Sequence, residues 1–371
     1  MVTDITQGGV PTLLPFFIAE YNLTYAAAAL FVSASSVASS VVQPLFGHFA
    51  DRFSKSWLMP VGMLLAGYGM AFTGIAPAYG FSLLAVMVSG IGVAAFHPEA
   101  ARLVHRAAGE KKASGMSLFG VGGQVGFAIG PIIATVALSS WGLKGTLVLT
   151  IPVTLVAIIF FGRLSEISTC LASPKQEQRV TGSGATQDEW IPFGFLTATL
   201  ILRSIIFYGL NTFIPLYWIN ILHRSKAAGG TALSIMFTAG VIGNLVGGRL
   251  ADKYGVRIVI RSALGTIIPL LFAFAFTKSV YGATVLVVLI GAVLFSIFGP
   301  LVVLGQKYLP NRVGLASGVT LGIAVSVGGI VAPLLGRIAD DHGIPAALAV
   351  VACLSVLGFF IALPLPRPKS G

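Results

Sequence analysis

Long apolar stretches separated by short polar turns make up most of this chain. Each stretch is long enough to cross a bilayer as a helix, which takes about 20 residues. Only 9% of the 371 residues are charged and 56% are hydrophobic, whereas a soluble domain carries roughly 25% charged residues. A soluble fold could not bury so much apolar surface, so an all-α membrane protein is expected. The twelve predicted spans are 5–19, 26–47, 57–76, 79–98, 114–137, 144–162, 192–219, 230–248, 257–277, 281–304, 314–335 and 345–363.

Two polar turns in distant parts of the chain are near-copies of each other. One runs from Gly47 to Arg52 and the other from Gly248 to Lys253, and each places an Asp four residues after a Gly. A repeated turn that closes an apolar stretch in both halves predicts two pseudo-symmetric six-helix bundles, as in secondary transporters. The predicted units are an N-terminal bundle over 1–163, a cytoplasmic linker over 164–190 and a C-terminal bundle over 191–371.

The basic residues predict how the chain is oriented. If both termini are cytoplasmic, seventeen of the 23 Lys and Arg fall in cytoplasmic turns and tails, five fall outside and Arg203 remains within a span. This bias predicts a multi-pass protein of the inner or plasma membrane with both termini inside. The net charge of +11 is therefore interpreted as a topology signal, and no nucleic-acid partner is expected.

Few acidic side chains are placed to carry protons through the bilayer. There are 12 Asp and Glu residues, and those in turns, in the linker or in the repeated motifs can be set aside, which leaves Asp4 and Glu99. A carboxyl group at membrane depth is costly and is usually functional. His97, which titrates near neutral pH, precedes Pro98 and Glu99 and is the third candidate for proton coupling. The alternatives are a solvated N-terminus for Asp4 and a helix-end pair of Glu99 with Arg102 or Arg106.

Arg203 is the basic residue that lies deepest in a predicted span. A central guanidinium beside an aqueous cavity is suited to bind carboxylate, phosphate or phosphonate, so Arg203 is predicted to bind an anionic substrate or to form an exchangeable pair with Asp4. A purely structural ion pair is the alternative. Polar residues predicted to line the same cavity, with interhelical hydrogen bonding as the alternative, are Gln7, Gln43, Gln124, Tyr208, Asn211 and Asn244.

The repeated turns are predicted to act as gates. In this hypothesis Gly47 and Gly248 allow close helix packing, and Asp51 meets a helix N-terminus or a base such as Arg102 when the cytoplasmic side closes. Gly126, Gly130 and Pro131 are expected to form a bend or a tight contact in the fifth helix. The remaining predicted gating residues are Arg52, Asp252 and Lys253.

These motifs resemble the major facilitator superfamily. Gly47 to Lys55 is similar to that family's loop between helices 2 and 3, and Gly126-x-x-x-Gly130-Pro131 is similar to its antiporter motif in helix 5. The segments that resemble the fosmidomycin-resistance branch are Asp4-x-x-Gln7-Gly8, Gln43-Pro44-Leu45-Phe46-Gly47, Phe96-His97-Pro98-Glu99-Ala100 and Arg203-Ser204. The resemblance implies a monomeric exporter of a small anionic or drug-like compound, driven by the proton gradient.

Other functions are disfavoured by motifs that the sequence lacks. It contains no phosphate-binding Gly-x-x-x-x-Gly-Lys-Ser/Thr loop, so ATP is not expected to drive it. It has no nucleophile elbow or zinc-type His pair, and its two cysteines, Cys170 and Cys353, are far apart. No enzymatic activity, catalytic residue, metal or cofactor is expected. The alternatives kept open are a proton symporter that imports an organic anion or sugar-like solute, and a membrane sensor or enzyme without transport. The chain starts three residues before Asp4, so the first helix is expected to be truncated.

Overall fold

The protein is described by a computed structural model. It describes residues 1–53, 56–107, 112–172, 187–312, 315–316 and 319–367, without the side chains of 41, 43–53, 105–106, 112–117, 171–172, 321, 323 and 325. All regular secondary structure in this part of the chain is helical. The helices are α1 Val2–Tyr21, α2 Tyr25–Phe53, α3 Leu58–Thr73, α4 Tyr79–Ala107, α5 Lys112–Trp141, α6 Thr150–Gly162, α7 Leu164–Ala172, α8 Trp190–Asn220, α9 Lys226–Tyr254, α10 Val256–Phe276, α11 Val280–Ser296, α12 Phe298–Tyr308, α13 Ala324–His342 and α14 Ile344–Ala362.

The helices confirm the predicted architecture of twelve spans. Nine spans are single helices. The sixth combines a 3-10 segment, Gly142–Leu149, with α6; the tenth combines α11 and α12; and the eleventh begins as a π-helical segment, Val319–Ile323, that runs into α13. The short α7 follows the sixth span. The first span is longer than the predicted 5–19: α1 has 20 residues, about 30 Å, which matches the hydrocarbon thickness of a bilayer.

Seven helical stretches in the described residues are long and apolar enough by themselves to cross a membrane. The other spans are shorter or carry polar groups; α1, for example, is continuous but contains Pro11, Pro15 and the acidic Asp4. Their polar faces are covered by neighbouring helices, so these spans depend on the bundle for their stability in lipid.

The hydrophobic cores follow the two halves of the chain. Two clusters of buried side chains lie within 193–365 apart from Ala128, and two others lie within 5–157 apart from Tyr208. Contacts between the halves are made chiefly by α2 with α13, by α5 with α9 and by α1 with α8. A site between the bundles would therefore be lined by some of the helices α1, α2, α5, α8, α9 and α13. The boundaries of the predicted linker remain a prediction, because 173–186 lies outside the described residues.

The two halves differ at matching positions of the repeat. In the first half, α4 continues without a break through Pro98. In the second half, the equivalent Pro300 follows an interruption, because α11 ends at Ser296 and α12 begins at Phe298. A proline removes one backbone hydrogen bond and can bend or break a helix. Here the C-terminal half has the break, and it brings Phe298 next to Arg203.

Candidate functional site

Asp4 and His97 form a buried pair between α1 and α4. Asp4 Oδ1 lies 3.2 Å from His97 Nε2, and the side chains are 6% and 24% exposed. The second carboxylate oxygen of Asp4 accepts from the Met1 nitrogen at 2.9 Å and from Thr3 Oγ1 at 3.4 Å. The structure thus joins two of the three predicted proton-coupling residues, which are 93 positions apart in the sequence.

The hydrogen-bond geometry of His97 suits a pair that holds a proton. His97 Nδ1 lies 3.0 Å from the Val93 carbonyl oxygen, which can only accept, so Nδ1 carries a hydrogen. Nε2 then faces Asp4 either as an imidazolium donor to a carboxylate or as the acceptor of a protonated carboxyl group. In either form Asp4 and His97 would share one proton, which is the property that a proton-carrying site needs.

Glycines of α5 hold α1 in the position that creates this pair. A Cβ added at Gly126 would lie 2.8 Å from Asp4 Cβ and would collide with the Met1 carbonyl oxygen, and one added at Gly130 would lie 2.5 Å from the Ile5 carbonyl oxygen. The sequence predicted either a bend or a tight contact at Gly126, Gly130 and Pro131, and the structure has the tight contact. Small residues there let the backbones of α1 and α5 approach closely. The role of this motif in gating stays a prediction.

This contact predicts a loss of stability on substitution. Gly126→Val would insert a branched side chain against the α1 backbone, and overpacking of this kind costs about 1–3 kcal/mol or more. We expect a lower midpoint of thermal unfolding for the purified protein in detergent. Gly120→Val on the same helix is the matched control, because a Cβ there meets nothing within 4 Å. Equal midpoints for the two variants would contradict this role of Gly126.

Glu99 lies apart from this pair and along its own helix. It is fully buried, and its Oε2 lies 3.6 Å from an Arg102 guanidinium nitrogen one turn later on α4. This geometry matches the alternative of a pair with Arg102; the side chain of Arg106 is outside the described residues. A direct part for Glu99 in proton movement stays a prediction.

Arg203 lies buried on α8 with its charge directed at α11 and α12. It is 6% exposed, its Nε donates to the Leu294 carbonyl oxygen at 3.1 Å, and its guanidinium carbon lies 4.9 Å from the centre of the Phe298 ring. In the part of the chain that the structure describes, its two terminal nitrogens form no hydrogen bond and no carboxylate lies within ion-pair distance. The exchangeable pair with Asp4 is therefore not formed in this structure, since Asp4 contacts His97.

A small cavity lies between the bundles at the level of Tyr208. Its volume is about 30 Å³, enough for one or two water molecules. Three of the predicted substrate-binding residues, Gln7, Tyr208 and Asn211, are in its wall, and Asn211 Oδ1 is buried without a hydrogen-bond partner among the described residues. The other lining residues are Val10, Pro11, Val32, Ser35, Ser36, Phe127 and Phe207.

Serines of α2 connect the two sides of this cavity, and sequence reasoning missed them. Ser36 Oγ donates to Tyr208 Oη at 2.8 Å, across the bundle interface, and Gln7 Nε2 donates to Ser39 Oγ at 3.3 Å. The signal was present, because α2 carries Ser33, Ser35, Ser36, Ser39 and Ser40 within two turns, and small polar residues in a membrane helix mark close helix contacts.

The other predicted lining residues lie elsewhere. Gln124 is on α5 with its Oε1 buried and without a partner among the described residues. Asn244 is half-buried on α9 next to Gly299. Neither contributes to the described cavity. The side chain of Gln43 is outside the described residues.

The second repeated motif, Gly248 to Lys253, was predicted to be a turn but lies within the C-terminal part of α9, and it is open rather than closely packed. A Cβ at Gly248 would meet open space, and Asp252 and Lys253 are exposed. The prediction of close packing at Gly248 is thus wrong for this structure: Gly243 and Gly247 make the contact instead, against the Ala292 and Ser296 carbonyl oxygens of α11. Helix rotation explains this, because positions four apart share a face and the next residue points about 100° away. The surroundings of Gly47 and the side chains of Asp51 and Arg52 are not among those that the structure describes.

Comparisons with known proteins agree with this architecture. The family model of the Major Facilitator Superfamily matches residues 1–333. The fosmidomycin resistance protein of Escherichia coli (strain K12) is 28% identical over 373 residues, covering 100% of this chain and 91% of that protein. The uncharacterized MFS-type transporter YfnC of Bacillus subtilis (strain 168) is 30% identical over 375 residues, again covering 100% and 91%.

The fold is also similar to that of solved transporters. A bacterial homolog of the human lysosomal transporter Spinster, in an inward-facing and occupied conformation, superimposes with a TM-score of 0.82 at 15% identity, covering 99% of this chain and 94% of that one. The nucleoside transporter NupG superimposes with a TM-score of 0.74 at 16% identity, covering 99% and 98%. Twelve spans in two bundles in the described part of the chain, a polar cavity between the bundles and the match to the family model lead to one conclusion: the chain is a membrane transporter that belongs to the Major Facilitator Superfamily.

Proposed function

We propose that the protein is a proton-coupled antiporter that exports a small anionic, drug-like compound across the inner or plasma membrane by alternating access. The observation that carries this proposal is the proton-sharing Asp4–His97 pair. Asp4 is one turn of α1 before Gln7, which lines the central cavity. A titratable pair beside the cavity allows proton binding and substrate binding to influence each other.

The proton half of the cycle follows from the environment of Asp4. In this conformation the carboxyl group is enclosed by α4 and α5 and shares its proton with His97. If α1 moves relative to these helices, Asp4 exchanges an imidazole partner for water and its proton affinity changes. A site that takes up a proton on one side of the membrane and releases it on the other would couple the proton gradient to transport.

The substrate half follows from Arg203 and the cavity. The terminal nitrogens of Arg203 are open to a new partner, and a guanidinium binds carboxylate, phosphate or phosphonate with paired, charge-assisted hydrogen bonds. Tyr208 and Asn211 are on the same helix, roughly 7 to 12 Å farther along its axis. Because the cavity now holds only about 30 Å³, a drug-sized anion requires the bundles to separate on one side, as alternating access provides.

The relatives support an exporter, and the basic residues support the orientation. A protein named for fosmidomycin resistance aligns along the whole chain, which favours efflux of an anionic antibiotic and makes fosmidomycin the first compound to test. The excess of Lys and Arg in turns on the side of the termini supports cytoplasmic termini. We propose that a single copy works with protons, substrate and lipid, without a further cofactor.

Flux in proteoliposomes under an imposed pH gradient tests the proposal. Antiport predicts that fosmidomycin accumulates when the lumen is acidic, because outward proton flow then drives uptake, with roughly tenfold accumulation per pH unit for one proton exchanged per substrate. A protonophore is expected to abolish the accumulation. Accumulation only with an alkaline lumen would indicate symport and overturn the antiport mechanism. No flux of fosmidomycin or other organic anions in either direction would overturn the proposed substrate class.

A further inference from the structure

The start of α2 and the end of α13 meet on the side of the membrane opposite the termini, called here the far side. The Asp340 carboxylate at the end of α13 accepts hydrogen bonds from the Tyr25 and Ala26 backbone N–H groups, at 2.6 Å to Oδ1 and 3.0 Å to Oδ2. These partners are 315 and 314 positions apart and belong to different bundles. The contact therefore joins the two halves of the transporter.

The first turn of a helix has N–H groups without partners in the helix, and they require an external acceptor. In α2, Thr24 satisfies the Ala27 N–H through its hydroxyl oxygen at 3.2 Å, as an N-cap residue usually does. The Tyr25 and Ala26 N–H groups are satisfied by Asp340 of the other bundle. A negative charge at a helix N-terminus is also favoured by the helix dipole. The capping of α2 is thus completed only when the bundles meet here.

Helices α2 and α13 also pack closely below this cap. A Cβ at Gly336 would lie 2.6 Å from Ala26 Cα, and one at Gly329 would lie 2.5 Å from Ser36 Cβ. Lys226 Nζ of the second bundle also lies 4.3 Å from the centre of the Phe16 ring of the first. The α2–α13 contact is therefore continuous from the surface cap to Ser36 at the cavity wall, and it separates the cavity from the far side.

We propose that Asp340 is a latch that holds the far-side gate closed, and that breaking its bonds to the α2 N-terminus is a required step when the cavity opens to that side. The inference rests on the alternating-access mechanism proposed above. The contact is made in the far-side-closed conformation alone, because separation of α2 from α13 carries the two oxygens away from both N–H groups. A contact present in only one state stabilises that state.

The neighbouring acid provides a matched control. Asp341 is exposed, and its Oδ2 lies 3.6 Å from Arg337 Nε on the same helix. Substitution of Asp341 removes the same charge from the same end of α13 without touching α2. An effect of Asp340 that Asp341 lacks would come from the cap itself and would exclude a general effect of surface charge.

The test measures how often the cavity opens to the far side. In the full chain with Cys170 and Cys353 replaced by serine, Ser35→Cys places a thiol in the cavity wall. The rate of its reaction with a membrane-impermeant maleimide, applied to sealed membranes from each side, follows the fraction of molecules open to that side. Asp340→Ala is expected to raise the far-side rate about fivefold to tenfold, the usual effect of losing a charged cap, and to leave the other rate equal or lower. Asp341→Ala is expected to keep both rates.

Each outcome decides the matter. An unchanged far-side rate in Asp340→Ala, or an equal rise in Asp341→Ala, overturns the latch. If Asp340→Ala does not insert into the membrane, Asp340→Asn replaces it, because asparagine keeps the size and one acceptor oxygen. This variant is expected to give an intermediate rise in the far-side rate, and an unchanged rate in it also overturns the latch. The labelling rate needs no transported compound. A raised far-side labelling rate in Asp340→Ala, in a protein that transports no anion, would support the latch and reject the proposed function. An unchanged labelling rate in a protein that does transport an anion would reject the latch alone.

Discussion

Replacing Asp4 with Asn is expected to reduce gradient-driven accumulation of fosmidomycin to the background of empty liposomes. Asparagine is nearly isosteric with aspartate and can still hydrogen-bond to His97, but it cannot take up or release a proton. The shared proton described for the Asp4–His97 pair is then lost. Exchange of labelled for unlabelled fosmidomycin across the membrane should continue, because it requires no net proton movement.

The Asp4 experiment is measured with an imposed pH gradient and, separately, as exchange without a gradient. Glu166→Gln is the matched control: it removes a carboxylate that is 65% exposed and paired with Arg163 near the end of the first bundle, and it is expected to behave like the unmodified protein. Gradient-driven accumulation that persists in Asp4→Asn would show that the driving proton binds elsewhere, with the buried Glu99 as the next carboxyl group to test.

Replacing Arg203 with Gln should weaken fosmidomycin binding by roughly 10-fold to 100-fold, because each hydrogen bond to a charged group contributes about 1.5–3 kcal/mol. Lysine should rescue only part of the affinity, since it keeps the charge but loses the planar pair of donors. Equilibrium binding to the purified protein in detergent measures both variants. The effect should be specific to anions, so compounds without a negative charge should bind the unmodified protein and Arg203→Gln equally.

Arg337→Gln is the matched control for Arg203. Its side chain is 78% exposed and pairs with Asp341 on the far side, so the substitution removes one positive charge without touching the cavity. Equal affinity of Arg203→Gln and the unmodified protein for fosmidomycin would remove Arg203 from the binding site. In that case its contacts with Leu294 and Phe298 would be structural.

The sequence was informative about the spans because lipid imposes a simple rule: each crossing needs a long apolar helix whose backbone groups bond internally. This rule predicted the twelve spans, and the repeated turns predicted the two bundles. It could not predict that the tenth span breaks at Ile297 while the fourth continues through Pro98. A proline permits a break, and packing of the neighbouring helices decides whether one forms.

The site was predicted in part, and its pairings were not. Asp4, His97 and Arg203 stand out from sequence because charged and titratable groups are rare at membrane depth. Sequence reasoning grouped His97 with Glu99, its neighbour in the chain, whereas the structure pairs His97 with Asp4. The choice of partner depends on how closely α1 approaches α5, which Gly126 and Gly130 set.

The contact made by Asp340 could not be predicted from the sequence either. The sequence placed Asp340 in a turn and so set it aside among the acidic residues, whereas the structure places it in the last turn of α13. Its partners are backbone N–H groups on a helix 314 or more positions away. Because nearly every residue has the same backbone N–H group, the sequence does not indicate which of them binds a carboxylate.

The sequence by itself determined that this chain is a helical membrane protein of two repeated halves, with a few charged residues at membrane depth, where a charge is costly. Those properties depend on composition and spacing along one helix. Tertiary structure alone decided that Asp4 contacts His97, that Ser36 and Tyr208 meet across the cavity, and that Asp340 caps α2. Each of these contacts joins separate helices, so it depends on the rotation and separation of helices that only the packed bundle fixes.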